Sequence, residues 1–475
     1  MKFGGGILKS QENLARVAGI VKTRSSRRNV LVVSAANGVT DQLIASLENG
    51  FEGEQEVDSF IELLRTGHET LLPGISKEPA FTSALEHLRR LLFGVHYTQE
   101  SSPRVRSLVL SFGERLSSIV VARRLALDGI PALEVSSEDA GIVAVERFSS
   151  SFCDFDATQL NAGRLVSLLS SGILPVVTGF YGVDSSGGTV LFGRGGTDYS
   201  SGILARVLGA DVLEIWKDVP GFLTSDPRII PSARKLEEMS FNEAEELGYF
   251  GAKILHPRTV ECLRGRKTRV EILSVFEPGA GGTRIIEERE YTGASAVSSV
   301  SCKKGISVVS VSGGAMVEVP GVLGTLFNTL ASNGIVVDCV STSQVVISFT
   351  IYSRDLPKTL EVLDSLKGSL IEEVRVVEDA ALIAVVGEGF RSTQGIAARI
   401  FGSVARADVN VVMLMDAASN NSISFVTSSS QAHLAVEAVY REFELYKVPQ
   451  SSSGLEAAAP QASPDGVESR GGANG

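Results

Sequence analysis

Between Asn29 and Ile286, short β-branched runs alternate with stretches of helical period. The runs are VLVVSA, SLVLSF, ALEVSS, ILPVVTG, VLEIWKD and VEILSV. Strands that alternate with helices predict a mostly parallel sheet between helical layers. In such a sheet ligands bind in the crevice at the carboxyl ends of the strands. The segment 53–98 is polar and helical, and is expected to be an insertion into a domain spanning 1–287. A glycine-rich, charged stretch, PGAGGTRIIEEREYTGAS, closes that domain.

Two turns in this pattern carry chemistry. The first is LFGRGGTDYSSGILA, where glycines precede a helix start and let backbone N–H groups approach an anion. Arg194 offers a planar fork for a carboxylate or phosphate. Asp198, and Asp218 after the strand LEIW, add carboxylates that could orient a lysine or meet a metal-bound nucleotide. The second turn opens the chain. Lys2 precedes Gly4, Gly5 and Gly6, a cradle without side chains. The alternative is a surface turn with incidental charges and a loose terminus.

Composition excludes several classes. Lys plus Arg is 44 and Asp plus Glu is 55, a net charge of −11 without a basic run. Nucleic acid and anionic membrane are therefore not expected as partners. Four separated cysteines share no metal-type spacing and fit reduced thiols. No protein-built metal site is expected, and no apolar run reaches membrane-span length.

After residue 287 the pattern repeats. Residues 288–303 are expected to form a linker and a strand ahead of two modules. The modules span 304–378 and 379–448, and each reads βαββαβ. Their matching segments are GIVVDCVSTSQVVISFTI and DVNVVMLMDAASNNSISFVT. Strands are predicted at 336–340, 374–377 and 381–386. The composition of 449–475 predicts a disordered tail.

A kinase for a small acid must neutralise phosphates, grip carboxylates and align the acceptor oxygen. Lys2, the Gly4–Gly6 turn and Lys253 suit the phosphates, and Arg194 suits a carboxylate. Thr40 and Glu114 are predicted at strand-end turns, where Glu114 could accept from a substrate ammonium.

These residues also carry a family resemblance. KFGG, VVSAANGVTD, SFGERLS, VVTGFYG, FGRGGTDYSSGILA, IWKDVPGFLTSDPR and YFGAKILHP, in that order, resemble an aspartate kinase. The paired modules resemble the ACT domains of that family, and WKDV resembles its plant-type, lysine-sensitive, monofunctional branch. The resemblance implies the amino acid kinase fold followed by tandem ACT domains, which interleave in the family, so that the strand within 288–303 is expected to join the second module. It implies transfer of the ATP γ-phosphoryl to the β-carboxylate of L-aspartate with Mg²⁺, giving 4-phospho-L-aspartate, the first step toward lysine, threonine and methionine. Lys2 then matches the lysine that stabilises the transferring phosphoryl, and Asp198 the aspartate that orients it. Ser34, Thr40, Glu114, Arg194 and Thr197 match the aspartate side. Gly4, Gly5, Gly6, Lys217, Asp218, Leu223, Arg228 and Lys253 match the nucleotide side.

Met316, Gly321, Val322, Leu323, Val336, Val337, Asp338, Thr342, Ser343 and Gln344 match an effector site, for lysine first and threonine second. A homodimer or dimer of dimers through the ACT domains is implied, as is a cytoplasmic location, or the plastid stroma for a plant or alga. Some positions depart from the family. Gly6 and Ile7 replace two polar residues, and only Met1 precedes Lys2 where members carry several strand residues. Gln344 stands for a glutamate of bacterial lysine-sensitive relatives, and Val319 and Val336 for serines. A kinase for glutamate or acetylglutamate, or a weakly active amino-acid sensor, are the alternative readings.

Overall fold

A computed structural model describes residues 1–147, 150–250, 254–287, 296–313, 319–368, 370–391, 393–416 and 421–447. The catalytic part contains strands β1 (Lys2–Phe3), β2 (Leu31–Val33), β3 (Ala132–Val135), β4 (Ala144–Arg147), β5 (Ser150–Cys153), β6 (Leu174–Thr178), β7 (Tyr181–Val183), β8 (Thr189–Leu191), β9 (Val212–Lys217), β10 (Glu238–Ser240), β11 (Arg269–Ser274) and β12 (Thr283–Ile286). Its helices are α1 (Gln11–Thr23), α2 (Val39–Asn49), α3 (Glu54–Leu71), α4 (Pro79–Thr98), α5 (Pro103–Leu127), α6 (Phe155–Asn161), α7 (Gly163–Ser170), α8 (Gly196–Val207), α9 (Phe241–Phe250) and α10 (Pro257–Glu261).

Eight strands form one sheet in the order β10-β12-β11-β9-β1-β2-β6-β3. All neighbours are parallel except β11 and β12. The central strands are buried on both faces, as parallel strands between helical layers must be. β1 is two residues long and lies at the middle, with Lys2 level with Val32 and Ile215. The Met1 ammonium donates to the Val30 carbonyl at 2.8 Å.

One predicted strand is a helix. SLVLSF lies inside α5, which starts at Pro103 with Ser102 accepting from the Val105 N–H. Val109, Leu110, Phe112, Leu116, Ile119 and Val120 are all buried. A helix covered on nearly every side shows no polar face, so a short window cannot separate it from a buried strand. Glu114 therefore sits mid-helix, not at a strand-end turn.

The regulatory part contains β13 (Ser299–Ser312), α11 (Val322–Ser332), β14 (Val340–Thr342), β15 (Val346–Tyr352), α12 (Leu356–Asp364), β16 (Glu373–Val386), α13 (Ile396–Arg406), β17 (Met413–Asp416), β18 (Ser422–Ser428) and α14 (Ala432–Glu442). They form one sheet, β14-β15-β13-β16-β18-β17. The two strands predicted at 374–377 and 381–386 are a single strand, β16, which runs through both modules. Its partner β13 does the same. Ile306–Ser312 pairs with β15, while Ser299–Lys303 pairs only with Leu382–Val386 of β16. The change of module falls at a bulge near Ile306 and at Asp379, where φ is 48°. The strand predicted at 336–340 begins only at Val340.

Helix α9 joins the two parts. Ser422 Oγ donates to Glu246 at 2.7 Å, and Asn242 Nδ2 to Glu388 at 3.0 Å. Tyr249 Oη donates to the Asp338 carbonyl at 2.9 Å, and Ser298 bonds the Glu243 carboxylate. Among the described residues no helix is long and apolar enough to cross a membrane.

Candidate active site

The crevice forms where β1, β2 and β9 end beside the start of α8. Gly195, in the left-handed region at φ 73°, precedes α8 and turns the chain into it. That turn places Asp198 in the first helical turn, buried among the strand ends. Lys2 Nζ lies 2.5 Å from Asp198 Oδ1, with the lysine side chain 4% exposed. Lys217 Nζ approaches the other oxygen at 3.4 Å. Burial is the main force on Lys2 and lowers it to about 8, against the pull of Asp198. Burial would raise Asp198, but the two ammoniums outweigh it and hold it below the usual range.

Glu114 enters from α5. It is 3% exposed and accepts from the Thr197 hydroxyl at 3.5 Å. Burial raises it to about 8, although the Ala35 N–H and Thr197 favour the charged form. Its Oε2 has no partner among the described residues. Close approach of α5 to the β2–α2 turn needs Gly113, since a Cβ there would lie 2.7 Å from the Ala35 Cβ. Thr40 faces the same junction. On the other side, a Cβ at Gly5 would lie 2.7 Å from the Ala35 carbonyl oxygen. Ser34 donates its N–H to the Phe3 carbonyl and ends β2 beside this turn.

The other expected residues divide into groups. Arg194 is exposed in the turn before α8. Asp218 is exposed just past Lys217. Leu223 is half-buried, and Arg228 is exposed and forks onto Asp226 of its own loop. Lys253 lies outside the described residues. Two features were not legible in the sequence. Lys217, expected at the nucleotide, contacts Asp198. This follows from the β1–β9 register, which sets Phe3 opposite Trp216. His256 caps α10, and its ring occupies the space that a Cβ at Gly195 would take.

The effector positions lie around the first regulatory module. Gly321, at φ 92°, precedes α11 and the backbone of Val322 and Leu323. Leu323, Val336, Thr342, Ser343 and Gln344 are exposed, and Val337 is half-buried. Met316 lies outside the described residues. Asp338 departs from the expectation of a carboxylate open to an effector ammonium. It is paired with Lys303, their side chains 9% and 15% exposed. Lys303 also lies 4.6 Å from the centre of the Tyr352 ring.

A cavity of about 800 Å³ opens at the opposite ends of the strands, beside Met1, Val30, Leu204 and Leu213. It lies away from Lys2, Asp198 and Glu114 and plays no part in this site.

Comparison with known proteins agrees with this geometry. Residues 1–274 match the model of the amino acid kinase family, and 309–365 and 383–443 match an ACT domain. Aspartokinase 1, chloroplastic, of Arabidopsis thaliana is 30% identical over 457 residues, covering 93% of this chain and 79% of that protein. This chain belongs to the aspartokinase family. Aspartokinase 2 of Bacillus subtilis is 29% identical, covering 95% of this chain and 98% of that protein. Among solved structures, E. coli aspartokinase III in complex with aspartate and ADP superposes with a TM-score of 0.78 at 27% identity. The same enzyme in complex with lysine and aspartate gives 0.79 at 28%. Each covers 93% of this chain, which covers 98% of each. The amino acid kinase fold followed by ACT modules is thus that of an aspartate kinase.

Proposed function

We propose that this aspartokinase phosphorylates the β-carboxylate of L-aspartate at the crevice holding Lys2, Asp198 and Glu114. One observation carries the assignment. A buried lysine is held by a buried aspartate under a glycine turn, facing a carboxyl with an unfilled oxygen. A β-carboxylate oxygen bonds to the γ-phosphorus, the bond to the β,γ-bridging oxygen breaks, and its electron pair leaves with ADP. Lys2 meets charge on the transferring group, where a fixed cation acts most strongly in the transition state. Asp198 keeps Lys2 charged and oriented. The substrate ammonium suits Glu114 and its unpartnered oxygen, and a substrate carboxylate suits the exposed fork of Arg194. Thr40, Ser34 and Thr197 would line that side.

The glycine turn, Asp218, Leu223 and Arg228 would meet ATP. Among the described residues no group of three or more His, Cys, Asp or Glu could hold a metal. This donor set fits Mg²⁺ carried on the nucleotide phosphates, where it would neutralise charge, with Asp218 the nearest exposed carboxylate in sequence.

The module limits we propose are 304–378 and 379–448, with effector binding in the first. Val319, Leu323, Val336, Val340 and Val345 are exposed apolar side chains of this module, and its strand β14 lies at the edge of the sheet. A second copy covering that patch gives the proposed dimer. Lysine is the proposed effector, with threonine second. The test is hydroxamate formation with MgATP and aspartate, glutamate or acetylglutamate, with and without lysine. Turnover with aspartate alone supports the assignment, and preference for another acid overturns it.

A further inference from the structure

We propose that Lys217 is a second cation for the transferring phosphoryl group, sharing Asp198 with Lys2, and not a contact to the remote part of the nucleotide. This rests on the reading of the crevice given above. Register supplies the first argument. β1 and β9 are parallel neighbours with Phe3 opposite Trp216, so Lys217 ends its strand level with the start of the glycine turn. The ammoniums of Lys2 and Lys217 take different oxygens of one carboxylate, at 2.5 and 3.4 Å. An oxyanion touching one ammonium is therefore beside the other.

Charge supplies the second argument. Among the described residues, the groups facing Lys2 are Asp198 from α8, Lys217 from β9 and Glu114 from α5. His256 lies beyond Asp198, and burial lowers its basicity. Burial works against the charged form of Glu114. Among the described residues, two ammoniums share the one carboxylate of Asp198, and the three side chains are 4%, 15% and 11% exposed. A net positive charge so withdrawn from water is costly unless an anion completes it. Phosphoryl oxygens are the anion that the reaction delivers to this point.

The experiment uses the full chain as wild type, Lys217→Met, Lys217→Gln and Lys217→Arg. In the hydroxamate assay, Met and Gln should lower kcat about 100-fold while KM for ATP stays within about threefold, the effect of removing one fixed charge donor. Arg should recover part of the loss. The second readout needs no turnover. An amine-acetylating reagent is applied across pH 6 to 11, and labelling of Lys2 is followed by peptide mass spectrometry. Losing a neighbouring like charge should move the Lys2 midpoint upward in Met and Gln, but not in Arg. A raised KM for ATP with unchanged kcat, or an unmoved midpoint, overturns the proposal. A wild type without hydroxamate activity overturns the function proposed above, and the labelling series still decides whether Lys217 acts on Lys2.

Discussion

Replacing Glu114 with Gln should change how stability depends on pH. Burial raises this carboxyl from 4.5 to about 8. Between those values the folded state holds a proton that the unfolded state has released. Stability therefore falls as pH rises through the window, and the loss is complete only above about 8. Each tenfold change in proton activity contributes about 1.4 kcal/mol, so wild type should lose roughly 2–3 kcal/mol between pH 5 and 7 from this group. Gln has the same shape and does not titrate. Its amide can still accept from the Ala35 N–H, and its NH₂ would fill the place of the unpartnered oxygen at a cost of about 1–2 kcal/mol that is independent of pH. The offset between the two proteins is thus set by packing, and the slope by ionisation. Urea unfolding followed by Trp216 fluorescence reads this directly, because the single tryptophan is buried against Phe3 in the catalytic sheet. The expected result is a variant that gains on wild type by roughly 2–3 kcal/mol from pH 5 to 7 while losing aspartate binding. Parallel curves would refute the argument, since they would mean that Glu114 is already ionised in the folded crevice.

Lys2→Ala and Asp198→Ala should each lower kcat by about 10²-fold or more with little change in KM, and unchanged kcat with raised KM would contradict the role. Because Lys2 is depressed to about 8, kcat/KM should fall on the alkaline side from near that pH; a flat profile to pH 10 would count against a charged Lys2. Arg194→Lys should raise KM for aspartate about tenfold and leave ADP binding, measured calorimetrically, intact. Asp338→Ala should abolish inhibition by lysine and leave uninhibited kcat unchanged, yet destabilise the chain by about 3 kcal/mol, since Lys303 is left buried and unpaired. Adding Lys303→Met should restore the stability, and persistent lysine inhibition in either variant would remove Asp338 from the effector site.

Local chemistry made much of this protein legible in its sequence. β-branched runs such as LPVVT favour buried parallel strands, and glycines next to helix starts mark where backbone bends and approaches a ligand. Lys2 and Asp198 were named from such turns, Thr197 from the family resemblance and Glu114 from an expected turn that is helix, and the four lie in one crevice. What the sequence could not decide depended on pairing across distance. SLVLSF became a helix because α5 is covered on nearly every side, which erases the periodic signal. The regulatory strands at 374–377 and 381–386 fused into β16 because β13 pairs along its whole length, and no local pattern encodes a partner about 75 residues away. Lys217 reached Asp198 only through the register of β1 against β9. Asp338 was legible as an acid, but its pairing with Lys303 depends on the sheet that brings them together. Residue type and local period set which groups could act. The packing of strands and helices decided which of them share a charge.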